Sequence, residues 1–382
     1  MRKLFLTLIS FAVAASAMAQ VSYMQMVEER SQNARYIQPA SLTPVADSHQ
    51  YMELDGKQVV LYDYNRPSDG EVVFKAKGVI MSYDKSPDGT MALYEMVEGE
   101  WPRQEIYRHS YTSDYYVACA DGSTIKIDDV RDISFSPDNR FLAMGYNNDI
   151  FVYDLVTNEI YNITSDGEWN HIINGTTDWV YEEEYGFTRA YAFSADGSKI
   201  AYLRFDESAV PTFEMMRFDN TLYNHAYSFK YPKAGDKNSV VELYLYDIKS
   251  NSRTKIDVGS NRDQYIFNVA FTPANKLYFY RVNRLQNNFE VVMCNEDGTQ
   301  KVIYTESSPR YVERPNSSTI TFIDGDKFIV MEETSAGWMH LYLHSVAKGR
   351  LNAITSGCWE VVSFVGHDGK NIYYTSTESS PL

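Results

Sequence analysis

Residues Ile133 to Thr164 read ISFSPDNRFLAMGYNNDIFVYDLVTNEIYNIT, and this stretch decides the fold. Short apolar runs alternate in it with turn-forming residues: a strand, a Pro-Asp turn, an apolar strand, an Asn-Asn turn, a strand, another turn and a final strand. High Tyr content and evenly spread β-branched residues extend the same pattern along the chain. The stretch therefore predicts one antiparallel unit of four short strands.

The Pro-Asp turn of this unit is one of a series. Ser86, Ser136 and Ser194 open three similar turns at intervals of 50 and 58 residues. Four-stranded blades of a β-propeller repeat about every 40–50 residues plus insertions, so we predict an all-β fold, a β-propeller. The turns are SPDG (Ser86 to Gly89), SPDN (Ser136 to Asn139) and SADG (Ser194 to Gly197), with degenerate forms TPAN from Thr272, EDGT from Glu296, DGDK from Asp324 and HDGK from His367.

The N-terminus has the pattern of a secretory signal peptide. Arg2 and Lys3 precede an apolar run, and Ala17-Met18-Ala19 is a small-residue cleavage site, so we predict a signal peptide at residues 1–19 and an exported mature chain from Gln20. The apolar run is short for a membrane-spanning helix, and no later segment approaches that length. We expect a periplasmic, cell-surface or secreted protein without a membrane span in the mature chain; a retained N-terminal anchor is the alternative.

Charge and cysteine content exclude several classes of protein. The net charge of −16 argues against a nucleic-acid partner and favours a cationic ligand. The three cysteines are far apart and odd in number, which favours buried free thiols over disulfides or a zinc site. No glycine spacing fits a G-x-S-x-G nucleophile elbow, a phosphate-binding loop or a dinucleotide fingerprint. His340 and His344 have ligand-like spacing, but we interpret them as a solvated strand face. We expect no cofactor and no metal.

The segment DWVYEEEYGF, Asp178 to Phe187, places three consecutive glutamates among aromatic rings. Asp178 is a suitable N-cap and Gly186 a suitable C-terminal stop, so residues 179–185 are predicted to form about two helical turns that interrupt the strand pattern. Adjacent acids on a short helix can face one ligand from different directions. The alternatives at this point are a cation-binding site and a solvated acidic turn.

Two further segments are candidates for function. YRHSYTSDY, Tyr107 to Tyr115, places Arg108 among tyrosines, where a guanidinium could bind a carbonyl or carboxylate or lie idle on a surface strand. The stretch from Phe218 to Ser239 falls in an unusually long interval between two turns. We predict that it is an insertion projecting from a blade, either functional or merely tolerated.

These segments resemble the dipeptidyl peptidase IV family of the prolyl oligopeptidase clan of serine peptidases. The resemblance is carried by DWVYEEEYGFTRAYAFSADGSKIAYLRFDESAVP, YRHSYTSDY, YPKAGDKN, YNNDIFVYD and ITSGCWEVV, in the family's order, and covers essentially the whole mature chain, residues 20–382. It implies a propeller of eight blades, the last one incomplete here, stacked in the family on a C-terminal α/β-hydrolase domain. It also implies that the short helix is an insertion in this propeller.

The resemblance assigns roles to three residues. Glu183 and Glu184 would bind the free α-ammonium group of a peptide substrate, and Arg108 would help to hold a substrate carbonyl and the glutamates. Gripping the N-terminus in this way restricts cleavage to the bond after the second residue, usually proline or alanine. The insertion after Phe218 resembles the arm through which the family dimerises, so a homodimer is expected.

The chain departs from the family at its end, because the catalytic Ser, Asp and His, the oxyanion tyrosine and the specificity pocket all lie in the family's hydrolase domain. We expect a fragment of a longer dipeptidyl peptidase that binds peptides but does not hydrolyse them alone. Two alternatives stay open at this point: a non-catalytic propeller that binds peptides or proteins, and a tripeptidyl or oligopeptide peptidase of the same clan.

Overall fold

The computed structural model describes residues 42–45, 48–99, 101–217, 222–295 and 299–380. These ranges contain 29 strands and one helix, which confirms the all-β prediction. No helix within them has the length and apolar character needed to cross a membrane. The chain divides into two compact units, one ending at Ile80 and one beginning at Met81. The predicted signal peptide, residues 1–19, lies outside the described residues and stays a prediction.

The first unit contains one antiparallel sheet of four strands in chain order, β1-β2-β3-β4. Tyr51, Val59 and Val60 are buried in it, and the ring of Tyr51 stacks on that of Tyr62 at 5.3 Å between centroids. Cross-strand ring pairs of this kind stabilise a sheet beyond the area that they bury. The strands are β1 (Thr43–Pro44), β2 (Gln50–Asp55), β3 (Gln58–Asp63) and β4 (Arg66–Lys75).

The next eight strands form one extended antiparallel sheet. β9 is 12 residues long; its first part pairs with β8 and its last part with β10, so it joins two four-stranded sections. Asp129 and Asp132 adopt positive φ at this junction, which interrupts the pleat. The strands are β5 (Val79–Lys85), β6 (Ala92–Val97), β7 (Gln104–Glu105), β8 (Tyr111–Ala118), β9 (Thr124–Phe135), β10 (Phe141–Tyr146), β11 (Asp149–Asp154) and β12 (Glu159–Asn162).

The stretch from Ile133 to Thr164 has the predicted structure. β10 and β11 are joined by Asn147 and Asn148, both with positive φ, as a tight hairpin turn requires. Asn158 provides the same conformation before β12. The prediction succeeds here because every turn position carries a residue suited to its backbone conformation.

Three further sheets repeat this arrangement, with the orders β13-β15-β18-β19 with β14 paired to β15, then β20-β21-β22-β23 and β24-β25-β26-β27. The pairs β16-β17 and β28-β29 form two-stranded sheets. The fold is thus of the β-propeller type, while the number of eight blades stays a prediction. The strands are β13 (Ile172–Asn174), β14 (Tyr191–Phe193), β15 (Lys199–Asp206), β16 (Thr212–Arg217), β17 (His225–Lys230), β18 (Val240–Asp247), β19 (Ser252–Ile256), β20 (Gln264–Phe271), β21 (Leu277–Asn283), β22 (Asn288–Cys294), β23 (Gln300–Ser307), β24 (Ile320–Phe322), β25 (Lys327–Glu333), β26 (Met339–Ser345), β27 (Gly349–Ala353), β28 (Val361–His367) and β29 (Ile372–Ser376).

The recurring turns touch one another, both within the eight-stranded sheet and between separate sheets. The backbone N–H of Asp88 donates to Asn139 Oδ1 at 2.9 Å, and that of Ala195 donates to Asn275 Oδ1 at 2.8 Å. A Cβ at Gly197, whose φ is +73°, would lie 2.6 Å from the Asp138 carboxylate, so this position also requires close approach. The repeat in the sequence therefore corresponds to a repeated contact. In the EDGT turn, residues 296–298 lie outside the described residues.

The interpretation of His340 and His344 as part of a solvated strand face is wrong, because both side chains are buried. The His340 ring bonds Thr355 Oγ1 at 3.0 Å, and His344 Nε2 lies 2.8 Å from Glu332 Oε1. The interpretation failed because β26 is covered on both faces, so strand alternation did not separate an exposed side from a buried one.

Candidate functional site

The helix predicted from Asp178 and Gly186 is present as α1 (Trp179–Tyr185). The Asp178 carboxylate accepts a hydrogen bond from the Tyr181 N–H at 3.0 Å, and Gly186 ends the helix in the left-handed conformation, φ 71°. A capping carboxylate and a C-terminal glycine are the expected signals for so short a helix. The short helical insertion carrying Glu183 and Glu184 is therefore confirmed.

Aromatic packing fixes the orientation of α1. Tyr181 is fully buried; its ring meets that of Phe205 at 4.9 Å, and its hydroxyl accepts a hydrogen bond from the Ile266 N–H at 2.9 Å. Tyr185 packs on Phe267 with ring centroids 4.3 Å apart. These contacts anchor α1 to β15 and β20. The helix consequently presents its three glutamates from a rigid base.

Glu182 binds the backbone of the segment that carries Arg108. Its side chain is 1% exposed, and its Oε1 accepts hydrogen bonds from the N–H groups of His109 at 2.6 Å and Ser110 at 3.1 Å. Residues 73 positions apart are thereby held together. A buried carboxylate that accepts two backbone donors is a strong positioning contact. The sequence interpretation did not assign Glu182 a role.

Glu183 and Arg108 are brought together as the sequence interpretation expects. Arg108 lies in the bend between β7 and β8, not on a strand, and its Nη1 is 3.7 Å from Glu183 Oε2. His109 Nε2 is 3.8 Å from the same oxygen. The Glu183 side chain is 17% exposed and that of Arg108 is 75% exposed. The half-buried Glu183 carboxylate therefore lies beside an accessible guanidinium.

Glu184 has different surroundings. Its side chain is 59% exposed, and its Oε2 lies 3.6 Å from Nη2 of Arg314. Arg314 was not identified from the sequence, because its position some 130 residues away carries no local signal. The two adjacent glutamates therefore face different arginines. Glu183 faces Arg108, in the bend between β7 and β8, and Glu184 faces Arg314, in the segment before β24.

The insertion between β15 and β18 contains the hairpin β16-β17 and packs against this site at its base. Tyr227 Oη donates to the Ile106 carbonyl at 2.6 Å, and the Tyr231 ring lies 3.9 Å from that of Trp179. The predicted insertion thus begins before Phe218 and supports both α1 and the Arg108 segment. Phe218 and residues 219–221 lie outside the described residues.

Three cavities adjoin the site. One, about 370 Å³, is lined by Glu184, Tyr185 and Arg314 among others. Of the other two, the larger, about 650 Å³, is lined by Tyr185 and Phe187 at the C-terminal end of α1, and by Arg189 and Phe267. The smaller, about 330 Å³, is lined by His109, Tyr111 and Asp132 among others. Burial raises the pKa of the Tyr115 hydroxyl in the smaller cavity, and its neighbour Tyr111 adds to the shift. These hydroxyls therefore stay protonated and serve as neutral hydrogen-bonding groups.

The family described as "Dipeptidyl peptidase IV (DPP IV) N-terminal region" matches residues 86–382. The chain belongs to this family. The family assignment made from the DWVYEEEYGF and YRHSYTSDY segments is confirmed.

Individual relatives agree with the assignment. The chain is 28% identical to dipeptidyl peptidase 4 of Trichophyton rubrum over 367 residues, covering 89% of this chain and 47% of that protein. It is 30% identical to dipeptidyl peptidase 4 of Trichophyton tonsurans over 293 residues, covering 71% of this chain and 37% of that protein. The chain thus spans about half the length, or less, of the curated relatives that it matches.

A solved structure matches the fold closely. The crystal structure of Porphyromonas gingivalis dipeptidyl peptidase 4 aligns with a TM-score of 0.80 and 32% identity, covering 90% of this chain and 50% of that one. A putative dipeptidyl aminopeptidase IV from Bacteroides ovatus aligns with a TM-score of 0.66 at 21% identity, which supports the fold alone. The all-β architecture is therefore that of the family's N-terminal region.

Proposed function

We propose that this chain is the peptide-binding, N-terminal portion of a serine-type dipeptidyl peptidase that releases Xaa-Pro or Xaa-Ala dipeptides from peptide N-termini. The observation that carries the proposal is the convergence of Glu183 and Arg108, next to a cavity that His109 lines, in a member of the dipeptidyl peptidase IV family. Glu183 supplies the negative charge for a peptide's α-ammonium group, and Arg108 supplies a planar donor for a backbone carbonyl.

The distances support a ligand-binding role for Glu183. The Arg108 and His109 nitrogens stand 3.7 and 3.8 Å from its carboxylate, longer than the roughly 2.7–2.9 Å of a close charge-assisted hydrogen bond. A primary ammonium group can approach more closely than either. Since Glu183 is half-buried, such a contact is less weakened by water and salt than one on the open surface.

Glu184 completes the proposed ammonium site from its exposed position. In the described structure it faces Arg314, so binding by both glutamates requires the Glu184 side chain to turn from that guanidinium towards the ligand. Its exposure of 59% leaves room for such a rotation. We infer that Glu183 contributes more of the binding energy than Glu184.

The test is the Glu183→Gln variant of the complete protein, assayed with a chromogenic Xaa-Pro substrate. We expect kcat/KM to fall by about 100-fold, because a neutral amide cannot replace the charge-assisted contact. Glu290→Gln, a change of the same kind on β22, is the matched control. Unchanged kcat/KM in Glu183→Gln would refute the proposal, and peptide binding without any hydrolysis by the unaltered protein would favour a non-catalytic propeller.

We also propose that the complete protein is exported and forms a homodimer. The charged, apolar and small-residue pattern of residues 1–19 supports export, and N-terminal sequencing of the mature protein should begin at Gln20. The hairpin insertion exposes the apolar side chains of Met215, Met216 and Leu222, and exposed apolar groups are typical of protein–protein contacts. Leu222→Asp should shift the sedimentation coefficient to that of a monomer; an unaltered dimer would exclude this surface.

A further inference from the structure

The two ends of the hairpin insertion carry a hydroxyl that binds the N-cap of α1 and a buried carboxyl group whose charge interacts with that cap. Glu207 directly follows β15 and Ser239 directly precedes β18, so these two residues bound the insertion. Ser239 Oγ donates to Asp178 Oδ2 at 2.6 Å, while Asp178 Oδ1 accepts the Tyr181 N–H that caps the helix. The base of the insertion and the helix that carries Glu183 therefore share one carboxylate.

Glu207 lies at this junction without compensating hydrogen bonds. Its side chain is 1% exposed, and neither carboxylate oxygen has a hydrogen-bond partner among the described residues. The same holds for the buried hydroxyl of Tyr107. A buried ionised carboxylate is costly unless it is paired, whereas its neutral acid form is much less so.

Several charged and titratable groups surround Glu207. Asp178 and Asp206 add negative charge; Lys230 of β17 adds positive charge, but its ammonium donates to the Val210 carbonyl. Tyr107 faces the same position. Burial, and then the charge of Asp178, raise the pKa of Glu207 to about 8, while the charge of Lys230 lowers it. Two interacting buried carboxyl groups are stable when one stays neutral.

We propose that Glu207 is a positioning residue for the Glu183 site, acting as a neutral acid whose ionisation would repel Asp178 and loosen the N-cap of α1. Glu182 and Glu183 follow this cap by four and five residues in a helix of only seven, so loosening the cap displaces both the contact to the Arg108 segment and the proposed ammonium site. This inference rests on the proposed function, because it assigns Glu207 a part in binding the peptide N-terminus.

The first arm of the test measures stability and does not depend on activity. The folded-state pKa of Glu207, about 8, lies above the unfolded value of about 4.3, so the folded state retains a proton that the unfolded chain has lost. The contribution of Glu207 to stability should therefore fall as pH rises from about 5 to about 8, and this part of the pH dependence should be absent from variants that lack its carboxyl group. We expect the Tm of Glu207→Gln to exceed that of the unaltered protein by a margin that grows over this range and is constant above it. Glu71→Gln, an exposed change in the first unit, should show no such margin.

The second arm measures KM for the Xaa-Pro substrate between pH 7 and pH 9 with the complete protein. In the unaltered protein KM should rise about fivefold more than in Glu207→Gln, the size expected from losing one N-cap. The substrate's own α-ammonium group titrates in this range, but equally for every variant. Ser239→Ala should raise KM at all pH values without altering the pH dependence, and Glu207→Met repeats the measurement with a second neutral side chain if the Gln variant does not fold.

The outcomes separate this inference from the proposed function. If Glu183→Gln impairs hydrolysis but Glu207→Gln changes neither the Tm profile nor the KM profile, the positioning role is refuted. A changed Tm profile with an unchanged KM profile would equally refute it, because Glu207 would then act on folding alone. If no protein in the series binds or cleaves peptides, the proposed function fails and the positioning role fails with it, whatever the Tm profile shows.

Discussion

The acidic residues of the recurring turns and those of α1 differ in where their partners come from. In the turn from Ser194, Asp196 Oδ1 accepts hydrogen bonds from Ser194 Oγ at 2.6 Å, the Ser198 N–H at 3.0 Å and Ser198 Oγ at 2.8 Å. The turn from Ser86 repeats this arrangement around Asp88. Every partner lies within two residues, so each turn satisfies its own carboxylate.

The acids of α1 depend on distant parts of the chain. Glu182 accepts N–H groups from the Arg108 segment, Asp178 binds Ser239, and Glu184 faces Arg314. The pKa values of the two kinds of carboxyl group shift in opposite directions. Local hydrogen bonds lower the pKa of Asp196 to about 2, whereas burial raises the pKa of Asp178. A carboxylate saturated by its own turn stabilises the fold, while one whose contacts are long-range can couple segments and bind a ligand.

The largest effect expected from this difference is that of Glu182→Ala. The change removes two charge-assisted hydrogen bonds and leaves the buried N–H of Ser110 and the nearby N–H of His109 without an acceptor. We expect the free energy of unfolding to fall by about 3–5 kcal/mol, the range for breaking a buried charged contact. Urea denaturation of the complete protein measures it. A loss below about 1 kcal/mol, the value for an ordinary surface change, would contradict the coupling role of Glu182.

The sequence predicted the local features well and the long-range ones poorly. Asp178, Gly186 and the Asn147-Asn148 turn were identified because their backbone conformations depend on neighbouring residues. The buried role of Glu182 could not be derived, because its partners are 72 and 73 residues away. The pairing of Arg108 with Glu183 was reached through family resemblance rather than through spacing. A sequence pattern states what a segment can form, but not which segment packs against it.

Replacing either of the two arginines that face the glutamates should have a smaller effect than Glu182→Ala. Arg108→Ala should lower kcat/KM about tenfold, mainly through KM, because Arg108 stands beside Glu183 and offers a donor fork to a carbonyl. Arg314→Ala should lower it about threefold or less, because Glu184 is more exposed and its ion pair is screened. Steady-state kinetics of both variants at one pH provide the comparison. A reversed ranking would show that Glu184, not Glu183, dominates peptide binding, and equal losses would contradict the greater contribution inferred for Glu183.

The smallest effect is expected in the turns themselves. Asp196→Asn removes the charge that receives three local donors, and because the turn is exposed we expect a loss of only about 1 kcal/mol at neutral pH. The pKa of Asp196 is lowered to about 2, so its contribution is fully present above the unfolded value of about 3.9 and is lost as pH falls towards 2. Urea denaturation at several pH values should show the two proteins converging below about pH 4. Because the partners of Asp196 are local, KM for the peptide substrate should stay unchanged, and a raised KM would show that the turns and α1 are coupled after all.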